Sequence, residues 1–301
     1  VCGVRSTGVF VGQNNQMEKN KVRQPQAQSF IPPHGIVSNI THGQFCGTSI
    51  FQTKSIRGKI KVAGIGVFAK TNSEHCLKLY IMKNVFSDKA SIIAREMLAK
   101  PDRTWVLRDF VGAGGVSLGM AQGVLAAMQE MGCLERLKKG PASYARLADR
   151  ELLLAEWAKW YKFSANTSHS YYTPHADFLK RLKKALPEDK YALTLHAGAN
   201  LITGYVNTDE THVYLRLANW AEELPRLREK LELKKLAQGG NVHFIRPFYR
   251  VGAFHGIQTI NGFSVVSALQ LYLDLYNYQP RGRDHAEYLK ETMERKGGLL
   301  A

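Results

Sequence analysis

Cysteine is scarce. Cys2, Cys46, Cys76 and Cys133 stand far apart with no C-x-x-C pair, which excludes a cysteine-bound zinc module and a dense disulfide framework and fits free thiols in a reducing compartment. Long apolar runs are also missing. No stretch approaches the ~18 consecutive apolar residues of a membrane span, so no membrane partner is expected. The first residues, VCGVRSTGVFVGQNNQ, lack the basic start and apolar centre of a secretory signal, and a cytoplasmic location is expected. Acidic residues are few, 25 Asp+Glu against 41 Lys+Arg, for a formal charge of +16 and a pI near 9.7. Such a surplus suits a polyanionic partner, most simply nucleic acid.

The signatures of several reactions are absent. Gly112 to Gly115 is not a phosphate loop, because no Gly-Lys-Ser/Thr ending follows. There is no Asp-x-Asp pair to hold the metals of nucleotidyl transfer. His169, His175 and Asp177 are spaced suggestively, but no further ligand lies at a familiar offset, and they read as surface or capping residues. Neither a metal nor another cofactor is expected, and no catalytic residue is assigned.

What is present is an ordinary globular composition, 45% hydrophobic and 22% charged over 301 residues, enough for two domains and possibly three. Three segments are expected: 1–84, 85–150 and 151–301. Residues 1–81 carry 10 Lys+Arg against 2 Asp+Glu, half of the whole surplus, yet show little periodicity. With Val1 at the start and Met82 just before the first strong helix signal, this stretch reads as a remnant or an extension.

From residue 85 the pattern sharpens. Ser87-Asp88 can cap a helix running to Lys100, closed by Pro101. A second short helix is expected from Trp105 to Val111. Gly114-Gly115 then supplies a turn and Ser117 an N-cap for a third helix, Leu118 to Met131, with Val124, Leu125 and Met128 on its apolar face. Strands at 133–137 and 143–147 are joined by Lys138-Lys139-Gly140-Pro141. Three helices followed by a basic hairpin form a winged helix-turn-helix. A major groove ~12 Å wide admits one helix, and the outward face of the third helix is short-chained: Leu118, Gly119, Gln122, Gly123, Ala126 and Gln129. Gln122 can pair bidentately with adenine. Arg103, Arg108, Lys138 and Lys139 are candidate phosphate contacts, and Ser117 and Tyr144 complete the expected DNA-binding set. The same trihelical unit also occurs as a protein-interaction module, and no Arg or Lys lies between Leu118 and Met131.

The remainder reads as a mixed α/β domain. Helices are expected at 151–162, 174–186, 219–236, 268–278 and 283–296, with strands at 191–195, 211–217, 242–245 and 264–267. Lys180, Arg181, Lys183 and Lys184 read as a solvated face. Asp274, inside LYLDLY, is costly to bury unless paired, and Arg281 or Arg283 is its expected partner in a structural ion pair.

The segments FSDKASIIAREMLAKPDRTWVLRDFVGAGGVSLGMAQGVLAAMQEMGCLER, LLLAEWAKWY, YALTLHAGA, QGGNVHFIRPFYRVGAF and FSVVSALQLYLDLYNYQPRGRDHAEYLKE together resemble the AbiE-type antitoxins of type IV toxin-antitoxin systems. The resemblance spans about two thirds of the chain. It implies a winged helix that binds inverted repeats of double-stranded DNA in its own promoter. It also implies a C-terminal domain that counters a nucleotidyltransferase-like toxin without a stable complex, and it implies no enzyme activity. The other class left open is a nuclease or nucleotidyltransferase targeted by its winged helix.

Overall fold

The computed structural model describes residues 85–296, and the expectation for residues 1–84 lies outside them. The described protein is mixed α/β. Its first helix, α1 (Ser91–Ala99), buries seven of its nine residues, so it lies inside the molecule and does not float on one face. It is followed by a 3-10 turn at Leu107–Phe110, a second at Ala113–Gly115, and α2 (Leu118–Glu130). The Ser117 side chain accepts the Met120 N–H at 3.2 Å, the expected N-cap. Strands β1 (Leu134–Leu137) and β2 (Tyr144–Leu147) pair antiparallel, with Leu134 opposite Leu147.

The expected helix from Trp105 to Val111 is not there. The Trp105 N–H donates to Ala145 and the Ala145 N–H donates back, both at 2.8 Å. That bridge holds Trp105 extended beside the hairpin and leaves only Leu107–Phe110 for one 3-10 turn. Ser87-Asp88 also acts otherwise than as a helix cap. The Asp88 carboxylate accepts the backbone N–H groups of Arg250, Val251 and Gly252 at 3.0, 3.0 and 2.8 Å, which nails the start of the module to a loop about 160 residues away.

Beyond the hairpin, α3 (Arg150–Trp160) is capped by Asp149, which accepts the Leu152 N–H at 2.8 Å. Six strands make the main sheet: β3 (Thr167–Tyr171), β4 (Tyr191–Thr194), β5 (Thr211–Leu215), β6 (Val242–Arg246), β7 (Gln258–Ile260) and β8 (Phe263–Val265). Their spatial order is β3-β6-β5-β4-β8-β7. The β5/β6 and β4/β8 pairs are parallel and the others antiparallel. The helices of this half are α4 (Phe178–Ala185), α5 (Leu195–Thr203), α6 (Trp220–Lys230), α7 (Ala268–Tyr276) and α8 (Gly282–Arg295). In α7 every residue from Ala268 to Leu275 is buried, as its almost unbroken apolar sequence requires.

One core runs through both halves. Phe86 stacks on Trp157 with ring centroids 5.3 Å apart, the Trp157 indole N–H donates to the Tyr249 hydroxyl at 3.2 Å, and the Tyr249 hydroxyl donates to the Phe86 carbonyl. Arg95 of α1, 2% exposed, lies under the Trp157 ring and donates to Gln270 of α7 at 2.6 Å. Gln270 in turn donates to Asp274 at 2.8 Å.

Asp274 therefore corrects the expected pairing. It is fully buried, and accepts from Tyr161 at 2.7 Å, Tyr214 at 3.0 Å, Gln270 and Thr194. Arg283 pairs with Glu287 at 3.2 Å and lies over Tyr276, while Arg281 lies over Tyr205. The cation related to Asp274 is Arg95, reached through the Gln270 amide. Desolvation raises the Asp274 carboxyl to about 6 against the four hydrogen bonds that lower it. No helix among the described residues is long and apolar enough to cross a membrane.

Candidate nucleic-acid interface

The turn before α2 is built from glycines because the backbone demands it. Gly112, Gly114 and Gly115 have φ of 92°, 56° and 79°, which side-chain-bearing residues adopt only at a cost, and a Cβ on Gly114 would sit 2.8 Å from Ile92 of α1. The turn rests on α1 and aims α2 across the module. The buried face of α2 is Ala121, Val124, Leu125, Ala127 and Met128. Its other face is open: Leu118 is 51% exposed, and Gly119, Gln122, Gly123 and Gln129 are exposed, with Ala126 half-buried.

Gly119 and Gly123 differ from the turn glycines. Both are helical, and a Cβ built on either would meet nothing within 4 Å. Neither φ nor packing among the described residues asks for glycine, although glycine within a helix costs about 1 kcal/mol relative to alanine. A surface that forgoes two side chains in this way admits close approach by something outside the chain.

The hairpin stands beside this face. A groove of about 650 Å³ between α2 and the strands is lined by Gln122, Arg136, Leu137, Lys138, Ser143 and Tyr144 among others, with no carboxylate among the described lining residues. Lys138 and Lys139 are exposed at the tip and make no ion pair among the described residues. The tip is braced from within: the Lys139 N–H donates to the Ser143 hydroxyl at 3.0 Å, and that hydroxyl donates to the Gly140 carbonyl at 2.7 Å.

The other expected contacts divide. Arg108 is exposed and makes no ion pair among the described residues, whereas Arg103 already pairs with Asp109 at 3.2 Å and lies 4.0 Å above the Trp105 ring. Tyr144 is 39% exposed and faces the groove from β2. Ser117 is engaged in its cap. The structure thus brings Gln122, Lys138 and Tyr144 to one groove and sets Arg103 against its own neighbours.

Two features escaped sequence reasoning. Past the carboxyl ends of the parallel strands β5 and β6 is an open pocket of about 510 Å³ lined by Arg216, Arg246 and Arg250 with Trp220 and Phe254. Arg216 lies 4.3 Å over Phe254, and none of the three guanidiniums pairs with a carboxylate among the described residues. Their spread over the residue after β5, the last residue of β6 and the turn beyond it hid them. His212 and His243 also meet across β5 and β6, which only the strand register reveals. His169 stacks on Trp220 and His175 pairs with Glu232 at 2.9 Å, so these two do not converge. Among the cations of α4, Arg181 is tied to Asp177 and Glu232, while Lys180, Lys183 and Lys184 are exposed.

A small helical module with an open helix face and a basic hairpin is joined to a larger sheet-and-helix half. Residues 146–294, about half of the chain, match the family described as transcriptional regulator, AbiEi antitoxin, type IV toxin-antitoxin system. The chain belongs to the AbiE-type antitoxin family. Comparison with curated proteins and with solved structures finds no match.

Proposed function

We propose that this antitoxin binds duplex DNA of its own promoter, at inverted repeats, through the winged helix-turn-helix of residues 85–150. In the same reading residues 151–301 counter a nucleotidyltransferase-like toxin in the cytoplasm without a stable complex, and the protein turns over no substrate. The observation that carries the DNA part is the pair of unforced glycines on the open face of α2. They flank Gln122 and stand beside a groove without carboxylates. With its backbone close to the base edges, α2 can place Gln122 on an adenine and the Leu118 and Ala126 side chains against thymine methyl groups. Lys138, Lys139 and Arg108 then supply phosphate contacts that fix the register and bring salt dependence. The unpaired arginines of the β5/β6 pocket extend the positive field into the second half. The antitoxin part is supported by the family match, which covers that half.

The test joins two assays on the full chain. Fluorescence anisotropy on its own promoter should show binding well above that to random duplex, and expression should restore growth to cells making the cognate toxin. Equal affinity for promoter and random DNA refutes sequence reading, and failure to restore growth refutes the antitoxin role. Metal-dependent turnover of a nucleotide or nucleic acid refutes the regulator reading in favour of the enzyme one.

A further inference from the structure

Four histidines collect at one end of the main sheet, away from the α2 face. His196 and His285 stack with centroids 5.2 Å apart, and their Nδ1 atoms lie 2.9 Å apart, so each satisfies the other. His212 and His243 are different. They are paired in register on the parallel strands β5 and β6, and their rings stack with centroids 4.3 Å apart. Glu210, one residue ahead of β5, brings Oε2 to 3.9 Å from Nε2 of His212 and to 3.9 Å from Nε2 of His243. These distances are too long for hydrogen bonds, and the His243 Nε2 is buried without a partner among the described residues, as is the His212 Nδ1. Three potential ligand atoms lie within 4.8 Å of one another.

We propose that Glu210, His212 and His243 form a binding site for a divalent transition metal ion, with zinc the best fit. Two imidazoles and one carboxylate are a ligand set that zinc takes, leaving a fourth position open for water. Ligands about 2.0–2.1 Å from zinc lie roughly 3.4 Å apart in a tetrahedron, so each 3.9 Å gap must close by a few tenths of an ångström and the stacked rings must swing out of parallel. Glu210, whose side chain is half exposed, is free to make the larger part of that movement and also opens the site to solvent. A partner shell is already in place. The Ser170 hydroxyl of β3 lies 2.9 Å from the His243 Nδ1, so that with its proton on Nδ1 the ring keeps its Nε2 lone pair for the metal. Tyr278 holds the His212 Nε2 at 3.2 Å, a contact that metal binding replaces. The ion would clamp β5 to β6 and fix the loop that carries Glu210.

The experiment uses the full chain, stripped with a chelator and dialysed. Titration with zinc chloride by calorimetry should give one ion per chain with micromolar or tighter affinity. Cobalt(II) should produce the visible d–d bands of a four-coordinate site, and the melting temperature should rise with zinc concentration. Glu210→Gln, at an exposed position, should fold as wild type and lose at least about tenfold in zinc affinity, and His243→Gln should lose more. His175→Gln, outside the site, should bind zinc unchanged. The proposal is overturned if no zinc binds at 100-fold molar excess, or if it binds equally to the wild type and to Glu210→Gln.

Discussion

Replacing Gly119 and Gly123 by alanine should make the protein more stable and a poorer DNA binder at once. Both residues are in α2 and a methyl on either meets nothing within 4 Å among the described residues, so no clash seen there offsets the gain in helix propensity. That gain is about 0.8–1.0 kcal/mol for a helix interior. It applies in full at Gly123 and less at Gly119, which lies in the first turn, so the pair should add about 1–2 kcal/mol. For a protein of this size that raises the melting temperature by roughly 2–3 °C. The two methyl groups, meanwhile, stand where the helix backbone should approach the base edges, and promoter affinity should fall about tenfold or more, the equivalent of about 1.4 kcal/mol. Urea or thermal unfolding reads the first effect and fluorescence anisotropy on the promoter the second. Stability that rises with affinity unchanged would remove this helix face from the interface. Stability that falls would show that the glycines serve the fold.

Lys138→Ala with Lys139→Ala should flatten the plot of log K against log salt by up to about 2 while leaving sequence preference alone, since each phosphate contact contributes about 1; an unchanged slope removes the hairpin tip from the phosphates. Gln122→Ala should lower discrimination at one base pair by about 1–3 kcal/mol, and equal losses on promoter and random DNA would show that it reads no base. Asp274→Asn tests the buried network by pH. With the carboxyl raised from 3.8 to about 6, the folded protein holds a proton that the unfolded chain has released, so wild-type stability falls as pH rises through that window, by about 3 kcal/mol, and levels off above it. The asparagine cannot titrate, so the variant-minus-wild-type difference in urea unfolding should grow by about that amount between pH 4 and 6. The buried histidines His212 and His285, lowered to about 3 and about 4, destabilise on acidification but cancel between the two proteins; a flat difference defeats the argument. A chain cut after residue 150 leaves Phe86 and Arg95 without Trp157, Tyr249 and Gln270, and its residues 85–150 should lose cooperative unfolding by circular dichroism. A sharp transition in that fragment would show that the module stands alone.

Elements whose apolar residues recur at one period were legible in the sequence: α2 behind its Ser117 cap, α3 within the expected helix 151–162, and α7 with its apolar run. Those governed by partners far along the chain were not. Trp105 has an aromatic neighbour pattern suited to a helix, but its backbone is claimed by Ala145. Thr167–Tyr171 carries almost no apolar residue and is a strand because β6 offers it an edge. Leu195–Thr203 continues a strand-like run, yet turns into a helix after Leu195 takes φ 50° and Gly198 packs within 2.9 Å of the Leu193 carbonyl and of Leu271. At the interface, residue types and their outward direction on α2 could be read locally. The engagement of Arg103 by Asp109 could not, nor could the Arg95–Gln270–Asp274 relay, because each depends on a side chain meeting another only after folding.

The Asp88 carboxylate, gripping the backbone at Arg250, Val251 and Gly252, sets an order of events during synthesis. The module is made first, but the Asp88 clasp ahead of its opening helix cannot close until the ribosome has passed residue 252. At about 5–20 residues per second this delay is on the order of ten to thirty seconds, during which the nascent module lacks its anchor. A chain that stops short releases a module without this clasp. If the module binds the promoter as proposed, competence to occupy it is tied to completion of the half assigned to toxin neutralisation, and an operon silenced in this way would be silenced by finished molecules.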